Sequence, residues 1–120
     1  MILKNLKNHA SKQAGSDIKD CVIAIPANWG PKAKMSLVNS AYLAEMSVLG
    51  LINENSAAMV NFAITRNDTD PVNMVVFNLG SANLQISVMK LFGTYDSVKA
   101  KNIQSIEAIA HHVVDDVGGL

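Results

Sequence analysis

The segment from Asn73 to Val88 restricts the fold of this chain more than any other stretch of the sequence. Its apolar residues 74–77 end at Asn78, and a tight turn follows around Gly80. Beyond the turn, two sets of residues alternate: Leu84, Ile86 and Val88 against Gln85, Ser87 and Met89. An apolar run, a glycine turn and a period-two alternation predict a β-hairpin. Backbone N–H groups at such a turn can face an anion, but most turns of this kind are ordinary hairpin turns.

Composition narrows the class of protein. The chain has 120 residues, 49% hydrophobic and 17% charged, which suits one compact domain of ordinary size. Ten basic and ten acidic residues cancel, and neither sign is clustered, which disfavours a nucleic-acid surface. Cys21 is the single cysteine, so no internal disulfide forms, and we expect it to be a small buried hydrophobe. No apolar run approaches the roughly 18 residues of a membrane span, and we expect no targeting signal at this amino terminus.

The first half of the chain alternates predicted helices with short buried strands. Hydrophobic periodicity, prolines and capping residues define these elements. In chain order they are an amphipathic helix with Leu6 on its apolar stripe that ends at Gly15, a strand at 21–25 ended by Pro26, a helix from Pro31 to about Met46, a strand at 49–53, and a helix capped by Asn55 or Ser56. Two strands make a poor sheet alone, so we expect other segments or another chain to complete it.

The second half is predicted to be mostly strand. The polar segment 67–71 ends in Pro71 and is the one evident linker. After the hairpin, an extended pattern continues past Gly93 from Tyr95 to Lys99. A further extended stretch carries the isoleucines at positions 103, 106 and 109. The predicted fold class is therefore α/β, with a helix-rich first half and a β-meander in the second half.

Three motifs resemble successive signatures of one protein family. They are Val-Ile-Ala-Ile-Pro-Ala at 22–27, Leu-Ile-Asn-Glu-Asn-Ser-Ala-Ala at 51–58 and Val-Val-Phe-Asn-Leu-Gly at 75–80. In this order they are similar to the amino-terminal ATPase domain of the seventy-kilodalton heat-shock chaperones, which has an actin-like, ribonuclease-H-like fold. Ser81, Tyr95 and Lys99 are more similar to the large hypoxia-upregulated, glucose-regulated branch of the endoplasmic reticulum.

The resemblance implies a domain organisation and a set of ligands. Residues 1–69 would form a portion of the first ATPase lobe and residues 70–120 a portion of the second, so the chain is expected to be a slice across both lobes. The implied cofactor is ATP or ADP with Mg²⁺. Unfolded client proteins and co-chaperones are the implied partners of the full-length protein in the stress response. The implied compartment is the lumen of the endoplasmic reticulum for the large branch and the cytoplasm otherwise.

Glu54 and Asn78 are the residues that the resemblance connects with metal binding and catalysis. Glu54 stands where the family has a glutamate in the water-mediated shell of the magnesium; a glutamate at a helix amino terminus also favours the helix dipole without any metal. Asn78 stands where the family has an aspartate that holds magnesium-bound water and helps to orient the nucleophile. Because an amide carries no charge and cannot act as a base, hydrolysis is expected to be impaired.

The predicted phosphate-binding residues are those of the glycine turn, and they depart from the family pattern. Gly80 matches the first glycine of the family's loop, whereas Ser81 and Ala82 replace the two glycines that follow. Asn83 stands in place of a threonine and Gln85 in place of a second aspartate. Glycines at such positions permit positive φ, where a Cβ costs about 1 kcal/mol or more. We expect phosphate binding to rely on the remaining backbone N–H groups.

Pro26 and Lys34 are candidates for coupling between domains. Pro26 matches a proline that works as a conformational relay in the family, and Lys34 stands where that relay has an arginine. Lysine lacks the planar fork of arginine, so the coupling would be weaker. The alternatives are a strand-ending proline and a solvated helix lysine.

The histidines and methionines point to no further chemistry. His9, His111 and His112 have no cysteine or carboxylate at metal-ligand spacing, and the adjacent pair would point to opposite faces of a strand. We expect them to be surface or edge residues, and the methionines to fill the core.

Two functions from different classes remain open at this point. One is an ATP-dependent chaperone, with this chain as part of its ATP-binding domain and with impaired hydrolysis. The alternative is a catalytically degenerate nucleotide-binding or scaffold module that acts as partner or exchange factor of an active chaperone. In either case the chain alone is not expected to be an active enzyme. Exposed sheet edges favour self-association of the chain.

Overall fold

The computed structural model describes residues 2–66, 68–97 and 101–118. The elements in chain order are α1 (Ile2–Ala14), β1 (Asp20–Ile25), α2 (Pro31–Leu43), β2 (Ser47–Asn53), α3 (Glu54–Ile64), β3 (Val72–Leu79), β4 (Asn83–Asp96) and β5 (Lys101–Asp115). The predicted α/β class, with helices first and a meander after them, is confirmed. Contacts divide the chain into an amino-terminal unit, Met1–Ile25 with Trp29–Ile52, and a meander unit, Pro26–Asn28 with Asn53–Leu120.

Helix α1 of the amino-terminal unit forms where it was predicted, but the buried residue differs. Gly15 follows the helix with φ of 67°, the left-handed conformation that commonly ends helices. Leu6, expected on the buried stripe, is 58% exposed, whereas Lys7 is only 8% exposed. The ammonium of Lys7 lies 3.5 Å from the Asp17 carboxylate and 3.4 Å from that of Glu45. These two partners allow the charged side chain to be buried, because burial of an unpaired charge is costly.

Helix α2 begins at Pro31 as predicted and ends earlier than predicted. The chain leaves the helix after Leu43, since Glu45 takes φ of 60° and the N–H of Met46 turns back to the carbonyl of Ala41 at 3.0 Å. Strand β2 therefore begins at Ser47 rather than at 49, and it pairs with β1 in a two-stranded sheet. Among the described residues, no helix has the length and hydropathy needed to cross a membrane.

The meander is a three-stranded antiparallel sheet in the order β3-β4-β5. The predicted hairpin between β3 and β4 is confirmed: Leu79 pairs with Leu84, and the N–H of Gly80 donates to the carbonyl of Asn83 at 2.9 Å. Strand β4 continues past Gly93 to Asp96, while Lys99 lies outside the described residues. The isoleucines at 103, 106 and 109 all lie in β5, as predicted.

Helix α3 packs on one face of this sheet. Three of its residues, spaced four apart on one side of the helix, are buried: Asn55, Met59 and Ala63. The core beneath the helix consists of Met59, Ala63, Met89 and Leu91, with the partly buried side chains of Val72, Met74, Val76 and Ile106 around it. Removal of this apolar surface from water is the main force that holds the helix on the sheet.

The face of β4 that meets α3 is the one that carries the mixed set of polar and apolar residues. The buried set is Gln85, Ser87, Met89 and Leu91, each at most 3% exposed, whereas Leu84, Ile86 and Val88 are half-buried. On β3, Val75 and Phe77 pair with members of the other set and lie on the outer face of the sheet, where they are 66% and 62% exposed. The mixed set is the buried one because α3 supplies hydrogen-bond partners to its polar members, which the strand sequence alone does not indicate.

The described part of the predicted linker, 68–71, is anchored to the meander by two hydrogen bonds. The carbonyl of Thr69 accepts the N–H of Gly93 at 3.2 Å, and that of Asp68 accepts the side-chain amide of Gln104 at 2.7 Å. Asn67 lies outside the described residues. The division into lobes at 69 and 70 stays a prediction.

The remaining predictions on single residues are mostly confirmed. All three histidines are exposed, and Met59 and Met89 are core residues at 2% exposure. Met35 is an exception at 66% exposure, and Cys21 is half-buried rather than buried.

Candidate functional site

The start of α3 carries Glu54 and differs from the prediction in its cap. Asn53 occupies the cap position with an extended backbone and no side-chain hydrogen bond, and Glu54 is the first helical residue. The predicted cap, Asn55 or Ser56, is wrong, because Asn55 is 2% exposed and turned towards the sheet. Its Nδ2 donates to Ser87 Oγ at 2.8 Å and to the backbone carbonyl of Gln85 at 3.4 Å. Two bonds in a buried setting hold the side chain more firmly than a solvent-exposed cap would.

Gln85 is the centre of the polar cluster on the buried face of β4. Its side chain is 1% exposed. Its Nε2 donates to the carboxylate of Glu54, and its Oε1 accepts the backbone N–H of Ala27 at 3.4 Å. The cluster therefore joins the turn beside Pro26, the first residue of α3 and the middle of the meander. All of these residues belong to the meander unit.

Asn78 lies within β3, directly opposite Gln85 in the strand register. Opposed residues of an antiparallel pair project from the same face, so Asn78 and Gln85 are neighbours on the side that carries Glu54. Through Gln85, the structure brings together the two residues that the resemblance connects with catalysis and metal binding. The side chain of Asn78 is half-buried.

The predicted phosphate loop forms the exposed end of the hairpin. Gly80, Ser81 and Ala82 are all exposed, and none of them has a positive φ. The expected backbone strain at Ser81 and Ala82 is therefore absent from this loop, since a Cβ is penalised only at left-handed positions. A Cβ on Gly80 would meet Asn83 O at 3.6 Å, an ordinary contact. The loop accepts these residues without steric cost.

Gly118 lies directly against this loop and was not singled out from the sequence. A Cβ added there would overlap the Ser81 carbonyl and would lie 2.7 Å from the backbone nitrogen of Ala82. The backbone after β5 thus passes over the Ser81–Ala82 peptide at a distance that only glycine permits. The Gly118-Gly119 pair is the sequence signal that could have indicated such a close approach.

Pro26 and Lys34 fall in different units. Pro26 belongs to the meander unit, next to the Ala27 N–H that Gln85 accepts. Lys34 is half-buried in the first turns of α2, in the amino-terminal unit, where its N–H donates to Gly30 O at 3.2 Å. Their proposed role in coupling stays a prediction.

The donor set around Gln85 does not fit the magnesium that the resemblance implies. Magnesium needs hard oxygen ligands, and carboxylates usually supply the protein's share. Glu54 is the one carboxylate in the cluster, and it already accepts the Gln85 amide. Asn78 is neutral, and the described part of the chain contains no group of three or more histidine, cysteine, aspartate or glutamate side chains able to hold a metal. We therefore derive no chemistry through a metal ion here.

Replacing Asn55 with alanine is expected to lower the free energy of unfolding by about 1–3 kcal/mol, because Ser87 Oγ and the Gln85 carbonyl lose a buried donor. One term works in the opposite direction: Asn55 Oδ1 is buried without a partner in the described structure, and alanine removes it. Urea unfolding followed by circular dichroism measures the difference.

The matched control for this substitution is Asn61→Ala, on the exposed side of the same helix. Alanine has the higher helix propensity, so we expect no loss of stability there. Equal effects of the two substitutions would contradict the role assigned to Asn55.

Comparisons with known proteins agree with the motifs. The family model for the Hsp70 protein matches residues 1–106. Heat shock 70 kDa protein 14 of Bos taurus is 39% identical over 92 residues, which cover 76% of this chain and 18% of that protein. The Homo sapiens protein of the same name is 38% identical over the same length, and that of Mus musculus is 32% identical over 120 residues, covering 99% of this chain and 22% of the relative.

The chain thus spans about a fifth of the length of these curated relatives. Their shared name does not support the finer resemblance to the large branch of the endoplasmic reticulum. Hsp70 proteins are chaperones with an ATPase domain of actin-like fold, for which nucleotide and Mg²⁺ binding is implied, and the mixed helices and strands found in this chain are compatible with that fold. A family match over residues 1–106 places this chain in the Hsp70 family.

Proposed function

We propose that this chain forms part of the ATP-binding domain of an Hsp70-type chaperone in which ATP hydrolysis is impaired. The observation that carries the proposal is the hydrogen bond from the Gln85 amide to the Glu54 carboxylate, with Asn78 opposite Gln85 in the sheet. By the resemblance, Asn78 and Gln85 stand where the family has aspartates, and the carboxylate of Glu54 already accepts a hydrogen bond from the Gln85 amide.

Hydrolysis of a phosphoanhydride needs an oriented water and a group that takes its proton or polarises it. An ionised carboxylate does this, whereas an amide oxygen accepts a hydrogen bond but does not take up the proton. The amides of Asn78 and Gln85 therefore fill the space of carboxylates and accept hydrogen bonds, but they cannot take up a proton. Loss of a positioned general base typically costs 10²–10⁴-fold in rate.

Binding of nucleotide depends on different atoms. The turn after Gly80 offers the hydroxyl of Ser81, the amide of the half-buried Asn83 and backbone N–H groups other than that of Gly80, which donates to Asn83 O. Consecutive N–H groups in a turn make a concave site for anions. Because these donors do not depend on the lost carboxylates, we propose that the full-length protein retains phosphate binding at this loop.

The test is ATP turnover by the full-length protein. We expect hydrolysis at least roughly 100-fold slower than that of an active Hsp70 protein, in keeping with a missing general base. The single variant Asn78→Asp is expected to remain slow, and the double variant Asn78→Asp with Gln85→Asp to recover measurable turnover. Asn73→Asp, which adds the same charge on the exposed face of β3, is the control and should change nothing. Turnover by the unmodified protein at the rate of an active Hsp70 protein would refute the proposal.

Binding is tested separately by calorimetric titration of MgATP and MgADP. We expect the full-length protein to give saturable binding and the 120-residue chain to give none, because the chain spans only about a fifth of its relatives. Saturable micromolar binding by the chain alone would mean that its site is more complete than proposed. Failure of the full-length protein to bind either nucleotide would leave the scaffold role described next as the better explanation.

A second function, a static scaffold or exchange-factor-like partner of an active chaperone, is favoured by one observation. The Gln85 side chain bonds Glu54 and Ala27, and Asn55 Nδ2 bonds Ser87 and the Gln85 carbonyl, so the chain itself holds both buried side chains in place. Failure of the double variant to hydrolyse ATP, together with tight binding of an active Hsp70 protein, would favour this role. Client proteins, co-chaperones and self-association stay predictions. The compartment is also a prediction: the lumen of the endoplasmic reticulum for a member of the large branch, and the cytoplasm otherwise.

A further inference from the structure

Gln85 connects three separate segments through one buried residue. Its side chain reaches the carboxylate of Glu54 at the start of α3 and the N–H of Ala27 in the Pro26–Asn28 segment. Its backbone carbonyl accepts the amide of Asn55. At 1% exposure, Gln85 is placed where an uncompensated polar group would be costly, so these bonds are the condition for its burial.

The orientation of the Gln85 amide follows from its two partners. The N–H of Ala27 is a donor only, so the atom that faces it must be the carbonyl oxygen. The carboxylate of Glu54 is an acceptor, so the atom that faces it must be the amide nitrogen. With the amide reversed, its oxygen would face the Glu54 carboxylate and its nitrogen would face the Ala27 N–H, so neither hydrogen bond could form. Glu54 therefore meets a neutral donor in a fixed position.

A carboxylate at such a place needs a partner that offsets its charge. Such a partner is a bound metal ion, a basic side chain, or a neutral hydrogen-bond donor such as an amide. In this cluster the donor comes from the chain itself, and the residue opposite it in the sheet, Asn78, adds no second carboxylate. A divalent cation would have to displace the Gln85 amide and would find a single carboxylate in return.

We propose that the Gln85 amide takes the place of a divalent cation as the partner of Glu54, and that this cluster is a metal-independent clamp. Gln85 is then a positioning residue: it holds the start of α3 and the turn beside Pro26 against the meander. This inference shares one premise with the proposed function, namely that the family binds a metal ion at these positions. Its test requires neither nucleotide nor hydrolysis, so the two proposals fail independently.

The experiment compares thermal unfolding of the 120-residue chain in MgCl₂ and in EDTA. We expect the two midpoints of the unmodified chain to agree within about 1 °C, because a ligand raises the midpoint only if it binds the native state. Gln85→Glu sets two carboxylates against each other and is expected to lower the midpoint in EDTA by roughly 10 °C. Mg²⁺ should restore at least half of that loss, because the carboxylates of Glu54 and of the substituted residue 85 can then bind the cation in the space that the amide filled.

The matched control is Gln104→Glu, on β5 of the same unit. Gln104 also donates its side-chain amide, to the backbone carbonyl of Asp68 at 2.7 Å, but this bond is exposed and its acceptor is not a carboxylate. We expect a smaller loss and no response to Mg²⁺. A merely structural role of Gln85 would give the same result at both positions, so the gained response to Mg²⁺ is the diagnostic signal.

Three outcomes overturn the proposal, the third of them only where the Gln85→Glu variant does not fold. The first is a saturable rise of the midpoint of the unmodified chain with Mg²⁺, which would mean that the cation competes with the amide. The second is a Gln85→Glu variant that folds but does not respond to Mg²⁺. If that variant does not fold under either condition, Asn78→Asp decides: it adds a carboxylate on the same face and keeps the amide. We expect no response to Mg²⁺ from it, and a response would overturn the proposal.

Discussion

Replacing Leu91 with alanine is expected to lower the free energy of unfolding of the chain by about 2–5 kcal/mol. Leu91 is fully buried in the core beneath α3, in a cluster with Met59, Ala63 and Met89. Truncation removes apolar contacts and leaves a cavity that a strand, held in register on both sides, has little freedom to fill. Urea unfolding followed by circular dichroism measures the loss.

Leu79→Ala is the matched control for this prediction. Leu79 has the same side chain and lies in the same sheet, but it is 52% exposed. We expect its truncation to cost less than about 1 kcal/mol, since surface substitutions of this kind are usually small. A loss at Leu79 as large as that at Leu91 would mean that the outer face of the meander, rather than the face under α3, is the stabilising one.

Gly118→Ala is expected to disturb the predicted phosphate loop and to lower the free energy of unfolding by about 1–3 kcal/mol, the range for an added methyl group without room. The new Cβ would overlap the Ser81 carbonyl and lie 2.7 Å from the Ala82 nitrogen. Both obstructing groups are backbone, which moves only if the turn itself moves. The amide resonances of Ser81 and Ala82 in an NMR spectrum should shift, and unfolding measures the energetic loss.

Gly80→Ala is the control within the same loop. Its Cβ would meet Asn83 O at 3.6 Å, and Gly80 does not use a positive φ, so we expect a stability change within about 1 kcal/mol. We therefore expect the larger loss of stability at Gly118, although the motif draws attention to Gly80. Stability unaffected by Gly118→Ala but lost in Gly80→Ala would show that the approach of residue 118 to the loop is not a structural constraint.

Much of the secondary structure could be predicted from the sequence because its signals are local. Pro31 begins a helix, since its fixed φ suits that position and its missing N–H is not needed there. Gly15 ends one by adopting positive φ. The hairpin around Gly80 follows from the alternation on either side of a short turn. The end of α2 was placed too late, because the turn at Glu45 uses a non-glycine residue in a left-handed conformation, which carries no strong sequence signal.

The site was predicted only in part. Glu54 and Asn78 were singled out, and each of them adjoins Gln85: the Gln85 amide donates to the Glu54 carboxylate, and Asn78 lies opposite Gln85 in the strand register. The roles of Asn55, Ser87 and Gly118 were not predicted. Each depends on a partner more than thirty positions away in the chain or on a backbone approach between distant segments, and no local pattern records such a distance.

The sequence by itself determined the order of helices and strands, the hairpin and the membership of the Hsp70 family, because periodicity, turn residues and motifs are properties of neighbouring positions. Only the tertiary structure decided which face of β4 is buried. The strand carries apolar residues on one side and a mixed set, Gln85, Ser87 and Met89, on the other. Helix α3 covers the mixed side, where Met59 packs on the apolar members and Asn55 and Glu54 bond the polar ones. A polar side chain is buried when its partners come with the surface that covers it, and those partners lie in another element.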